Sequence, residues 1–281
     1  MIIYKKASDV TLFLERAKNQ GKTTGFVPTM GALHHGHLSL IGLSQEQNDL
    51  TCCSIFVNPT QFNNPEDFTH YPITIEKDIE QLAAAGCDLL FLPAVKEIYP
   101  QGFPQQQYDL GPIETVLEGH YRPGHFQGVC QVVDRLLRIV QPDRLYLGQK
   151  DYQQSMVVKK LIQLMGKEHQ IELVVCPTIR EADGLAMSSR NLRLDPEERR
   201  LALGIYKTLS YLKEQLGSHP LAGLKQEGKK RLESEGFAVD YVEIADADTL
   251  QAATAFDGQK LVALVAATLH RVRLIDNMTL N

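Results

Sequence analysis

The sequence predicts an α/β protein: a parallel sheet with helices on both faces, followed by a smaller α+β domain. Three observations carry this. Short apolar runs of strand length alternate with helix-period segments through the first two thirds of the chain. One such segment places Val129, Val132, Val133, Leu136, Leu137 and Val140 at three- and four-residue spacing, the stripe of a helix with one face in a core. After Cys176 the alternation stops, and a polar stretch, PTIREADGLAMSSRNLRLDPEE, leads into a final third of different texture.

In chain order, strands are predicted at TTGFVPT (23–29), TCCSIFVN (51–58), CDLLFLP (87–93), DRLYLG (143–148) and IELVVCP (171–177). Helices are predicted from about Gly36, from Ile75 to Ala85, and over the Val129 stripe, which Pro142 ends. Asp195 followed by Pro196 opens a helix in the final third, with the stripe Leu201, Ile205, Leu209, Leu212 and Leu216. A second helix covers about 221–235, and strands follow near 239–244 and 261–267. A chain of 281 residues has room for two domains, expected at 1–176 (Rossmann-like) and 177–281 (an α+β lid with SSRN at its start). It contains no internal repeat and no low-complexity tract.

Composition narrows the function classes. With 43% hydrophobic and 22% charged residues this is a globular composition, and a net charge of -5 argues against a nucleic-acid partner held by phosphate neutralisation. The start MIIYKKASDV lacks a signal-peptide core, and the longest apolar run, 261–269, is far short of the roughly 20 residues that span a bilayer, so a cytoplasmic protein without a membrane partner is expected. Five cysteines, an odd number without a C-x-x-C pair, read as reduced core residues. Zinc ligation by Cys52 and Cys53 is disfavoured, because neighbours in a strand point to opposite faces.

The stretch PTMGALHHGH, 28–37, sits where the first long strand turns into a helix. In a parallel sheet, that turn is the favoured seat of a phosphate, because free N–H groups and the positive end of the helix dipole meet there. Gly31 and Gly36 let the backbone pass close to a nucleotide. His34 and His37, three residues apart, share one face once the helix has begun. A lone histidine in a loop is usually solvated, but H-x-G-H after a strand is far more specific, and it resembles the HIGH signature of the nucleotidyltransferase and class I aminoacyl-tRNA synthetase superfamily. AMSSRN, 186–191, fits the second half of that signature: the Ser188 and Ser189 hydroxyls and the Arg190 guanidinium are suited to holding a departing pyrophosphate.

VPTMGALHHGH, SIFVNPTQF, YPIT, LEGHYRPGHFQGV, LGQKDYQQ, DGLAMSSRN and the tail LIDN together resemble the pantoate–β-alanine ligase family, in its order and over nearly the whole chain. The resemblance implies adenylation of pantoate by ATP with loss of pyrophosphate, then transfer of the pantoyl group to β-alanine with release of AMP. It implies Mg²⁺ accompanying ATP, and a homodimer. Carried onto this chain, it puts ATP against Met30, Gly31, Ala32, Leu33, His34, His35, Gly36, His37, Gly148, Gln149, Lys150, Asp151, Ile179, Met187, Ser188, Ser189 and Arg190. The chemistry would fall to His37, His34, Lys150, Ser188 and Ser189. Asn58, Gln61, Gln154 and Arg122 would face pantoate or β-alanine, with His125 nearby, and Asp78 is the carboxylate available to a metal. Neutral amides suit a substrate whose carboxylate must stay nucleophilic, whereas a lysine after a strand meets phosphates as a point charge.

Four positions depart from the family's usual pattern: His35, Lys77, Thr60 and Gln127. The last two would alter the substrate side. Two rival readings remain. A cytidylyl- or adenylyltransferase acting on a phosphate ester would use the same clusters, and a nucleotide-sensing module would keep the pocket without turnover.

Overall fold

Residues two apart in the central strands enter the same apolar layer and neighbours enter opposite ones, which is why short apolar runs suffice to build a two-faced sheet. Phe26, Cys52, Leu89, Phe91, Leu145 and Leu147 pack on one side. Val27, Cys53, Ile55, Leu90 and Tyr146 pack on the other. This is seen in a computed structural model describing residues 1–281.

The elements run β1 (Ile2–Tyr4), α1 (Ala7–Asn19), β2 (Thr24–Thr29), α2 (His35–Gln47), β3 (Leu50–Ile55), α3 (Pro65–Thr69), α4 (Ile75–Ala84), β4 (Leu89–Phe91), α5 (Val95–Ile98), α6 (Glu118–Tyr121), α7 (His125–Val140), β5 (Arg144–Gly148), α8 (Tyr152–Leu164) and β6 (Glu172–Cys176). There follow α9 (Pro196–Leu201), α10 (Leu203–Glu214), α11 (Leu221–Ser234), β7 (Phe237–Asp246), β8 (Leu261–Leu269) and β9 (Val272–Thr279). The chain divides into two compact units, Met1–Gln149 with Gln154–Pro177, and Lys150–Gln153 with Thr178–Asn281.

The first unit holds a six-stranded sheet in the order β1-β4-β3-β2-β5-β6, parallel at every pairing. Residues of α1, α7 and α8 belong to the first layer, and residues of α2 and α4 to the second. The Val129 stripe is buried as predicted, in a helix that begins four residues earlier, at His125. Complete burial of one such side chain, Leu137, contributes about 1.5–3 kcal/mol.

The second unit is an antiparallel sheet, β7-β8-β9, with a core shared by α10 and α11. The predicted helix after Asp195 is two. Asp195 closes a capping box with Glu198, and α9 yields to α10 at Ala202. Seven elements have no counterpart among the predicted ranges: β1, α1, α3, α5, α6, α8 and β9. Strands β1 and β9 are too short or too polar in pattern to stand out, and α1 carries only Val10, Leu14 and Ala17 as a buried face.

Candidate active site

The strand order reverses between β2 and β5, so the chain ends leaving these two strands flank the crevice where ligands bind in sheets of this kind. After β2 the backbone turns through Gly31 (φ 83°) and Ala32 (φ 49°), two successive left-handed residues. For alanine that conformation costs about 1–2 kcal/mol, and what holds it is Asp78. This carboxylate is fully buried; it accepts the Ala32 N–H at 2.9 Å, the Leu33 N–H at 2.8 Å and the Thr74 hydroxyl at 3.0 Å. Thr29 adds a further tie, accepting the Gly31 N–H at 3.2 Å and donating to the Ser54 carbonyl at 2.8 Å.

The turn delivers His34 as the residue before α2 and His37 one turn into it. Their ring centroids lie 4.0 Å apart with planes 32° from parallel, so the two imidazoles do share a face. His35, between them, is exposed.

The loop after β3 supplies the amides. Asn58 is buried, and its side-chain oxygen accepts from the Tyr99 hydroxyl at 2.9 Å and from Thr60 Oγ1 at 3.1 Å and N at 3.4 Å. Its Nδ2 donates to Gln61 Oε1 and to the Gly128 carbonyl, each at 3.1 Å. Burial raises the Tyr99 pKa above the ordinary phenol value, which keeps that donor protonated. Asn58 thus orients Gln61, whose Nε2 lies 3.3 Å from Met30 Sδ.

Helix α7 presses on the turn at 59–61: a Cβ on Gly128 would lie 2.2 Å from the Thr60 carbonyl oxygen. His125 Nδ1 donates to the Gln61 carbonyl at 2.7 Å, and Arg122 Nη1 lies 3.1 Å from its Nε2. A carbonyl only accepts and a guanidinium only donates, so this pairing is made by the neutral Nδ1–H tautomer. Arg122 also pairs with Glu118 at 3.5 Å. Gln154 is half-buried on α8. Gln127, one of the departures, uses its amide on Tyr108 N and O, both at 2.9 Å, and on Glu114 at 2.8 Å, stitching an outer segment to α7. Thr60, the other, joins the network around Asn58.

In the second unit, Ile179 and Met187 lie on the two arms of a tight hairpin: Met187 N donates to the Ile179 carbonyl at 3.1 Å and Arg180 bridges Ala186. Gly184 makes the turn at φ 101°, where a Cβ would strike the Tyr206 ring. Arg180 anchors the hairpin through both carboxylate oxygens of Asp276, at 2.6 and 3.1 Å. Next to it Asn277 donates to the Lys150 carbonyl at 2.8 Å. Ser188 Oγ accepts the Arg190 N–H at 3.3 Å at the start of a 3-10 turn, Ser189–Arg193; Ser189 is buried and Arg190 half-buried. Gly148 ends β5 and Gln149 follows it, both in the first unit, whereas Lys150 and Asp151 cluster with the second, Asp151 exposed.

The supporting residues Thr74, Tyr99, Arg180, Asp276 and Asn277 were not singled out from the sequence. Asp276 and Asn277 carried a signal, the tail motif LIDN, without a role. Asp78 does not fit a magnesium ion, which needs an oxygen open to it and to its waters: both carboxylate oxygens are turned to the chain's own N–H and O–H groups in a fully buried position. No group of three or more His, Cys, Asp or Glu side chains could hold a metal elsewhere.

The family model for pantoate-beta-alanine ligase matches residues 2–279. A pantothenate synthetase of Cytophaga hutchinsonii is 44% identical over 284 residues, covering 100% of this chain and 99% of the relative. The crystal structure of pantothenate synthetase from Thermus thermophilus aligns with a TM-score of 0.93 at 40% identity, covering 100% of this chain and 99% of that one. That of a Francisella tularensis pantoate-beta-alanine ligase, complexed with beta-gamma ATP and beta-alanine, aligns with a TM-score of 0.84 at 37% identity over 99% of this chain and 97% of that one.

Proposed function

Since this chain belongs to the pantoate–β-alanine ligase family, we propose that it joins pantoate to β-alanine at the expense of ATP, through a pantoyl adenylate. The observation that carries the reading is local to the first unit. A close histidine pair stands at the strand-order reversal, and the next loop presents an amide, Gln61, whose orientation is set by Asn58.

In the first half-reaction a pantoate carboxylate oxygen attacks the α-phosphorus, the bond to the bridging oxygen breaks, and pyrophosphate leaves. His34 and His37 donate to phosphate oxygens as charge builds there; one well-aimed donor of this kind is worth about 2.7–4 kcal/mol in other enzymes. Lys150, Ser188, Ser189 and Arg190 serve the departing pyrophosphate, and Ile179 and Met187 flank the base. Gln61 and Gln154 hold pantoate through neutral hydrogen bonds that leave its carboxylate reactive. Magnesium, when bound, neutralises phosphate charge, and ATP itself supplies its ligands. In the second half-reaction the β-alanine amine attacks the acyl carbon, a C–N bond forms, AMP leaves and the amine loses a proton. A homodimer in the cytoplasm, with 1–176 as nucleotide- and pantoate-binding domain and 177–281 as lid, belongs to the same reading.

Isotope exchange between pyrophosphate and ATP tests it. Exchange that requires pantoate but not β-alanine, with AMP appearing once β-alanine is added, is the expected result. Exchange that requires a phosphate ester instead would establish the rival transferase, and nucleotide binding without any exchange would establish the sensing module.

A further inference from the structure

We infer that Asp78 is a positioning residue for the histidine-bearing turn, and that this chain holds no metal through it. The inference rests on the ligase reading for its kinetic consequence, though not for its geometry.

Three features converge. The carboxylate is fully buried, and the partners of its oxygens are the consecutive N–H groups of Ala32 and Leu33 together with the Thr74 hydroxyl. Those N–H groups point together because Gly31 and Ala32 both sit in the left-handed region. The fit is also close: a Cβ on Gly31 would lie 3.0 Å from Asp78 Oδ2. A buried carboxylate accepting two backbone N–H groups makes charge-assisted hydrogen bonds, which are short and direction-sensitive. It therefore sets the path by which the chain enters α2, and with it the places of His34 and His37.

The surroundings do not favour a cation. Lys77, the preceding residue, is exposed and positively charged. Gln81, one turn further along α4, has a buried Oε1 with no partner, but a single neutral oxygen is not a magnesium site.

Asp78→Asn keeps the shape while turning an NH₂ group toward a backbone donor. The expected result is a fall of about 10²-fold in kcat/KM for ATP, the scale of an ångström-sized misplacement, with KM for pantoate changed much less. The Mg²⁺ concentration giving half the maximal rate should stay where it is in the unsubstituted enzyme. A shift of about tenfold or more in that concentration, as expected when a metal site loses a supporting group, would overturn the inference; so would an unaltered kcat/KM for ATP.

A second measurement needs no variant. Mn²⁺ titrated into the ATP-free protein and followed by electron paramagnetic resonance should show only the free ion, and a signal from one bound ion per chain would refute us. This arm holds even if the variant fails to fold. Absence of pantoate-dependent exchange in the unsubstituted protein would refute the ligase reading alone and leave the titration decisive for Asp78.

Discussion

The side-chain amide of Asn277 donates to the backbone oxygen of Lys150 at 2.8 Å, across 127 residues of sequence. The last strand thereby fixes the segment that follows β5. Its neighbour Asp276 does the same for the hairpin of Ile179 and Met187 through Arg180. Asn277→Leu should leave the Lys150 carbonyl unpaired in a part-buried position, at a cost of about 1 kcal/mol. The expected outcome is a rise in KM for ATP of up to about tenfold, with pantoate binding unchanged, measured by steady-state kinetics with each substrate varied in turn.

Gly128→Ala tests the contact between α7 and the turn that carries Gln61. The added methyl would meet the Thr60 carbonyl at 2.2 Å and the Gln61 Cα at 2.7 Å, and backbone cannot step aside as a flexible side chain can. Overpacking of this kind costs about 1–3 kcal/mol. Thermal unfolding should show a lowered midpoint, and KM for pantoate should rise, because Gln61 moves with the turn.

Gln61→Arg addresses why an amide stands there. A guanidinium would hold a carboxylate by two charge-assisted bonds and weaken it as a nucleophile. Pantoate binding should be equal or tighter while kcat falls. Calorimetric titration together with turnover separates the two, and an undiminished kcat would show that the amide has no such purpose.

Asn58→Asp replaces a donor that serves two carbonyl oxygens, Gln61 Oε1 and Gly128 O, with an acceptor that repels both. Tyr99→Phe removes only one hydrogen bond to the same residue, worth about 0.5–1.5 kcal/mol. Denaturant unfolding should rank Asn58→Asp as clearly the more damaging of the two.

The five thiols offer a check on the core. All are free and buried. Burial pushes Cys87 up to about 11 and Cys130 to about 12, and holds Cys52 and Cys53 well above the ordinary thiol value. Since only the thiolate attacks, a disulfide reagent at neutral pH should label none of them in the folded protein and all of them in denaturant.

Much of this was legible in the amino acids alone because it depends on short-range pattern. Alternation of apolar runs with helical stripes predicted the parallel sheet, Asp195 with Pro196 marked a helix start, and H-x-G-H behind a strand marked the turn that brings His34 and His37 together. Each of these is a local preference of backbone and side chain. Strands β1 and β9 exist only because partners in the folded sheet complete their hydrogen bonds, and no local pattern announces that.

The roles of Asp78 and Asn58 were out of reach for a related reason. In sequence, a lone acid on a helix looks available to a metal, and an asparagine in a motif looks available to a substrate. Only folding brings Asp78 beneath the amides of Ala32 and Leu33, 46 and 45 residues away, and Asn58 beneath Gly128, 70 residues away. Once buried, each must satisfy its polar atoms from within the chain, and that requirement, rather than residue type, decided that they hold the site in shape.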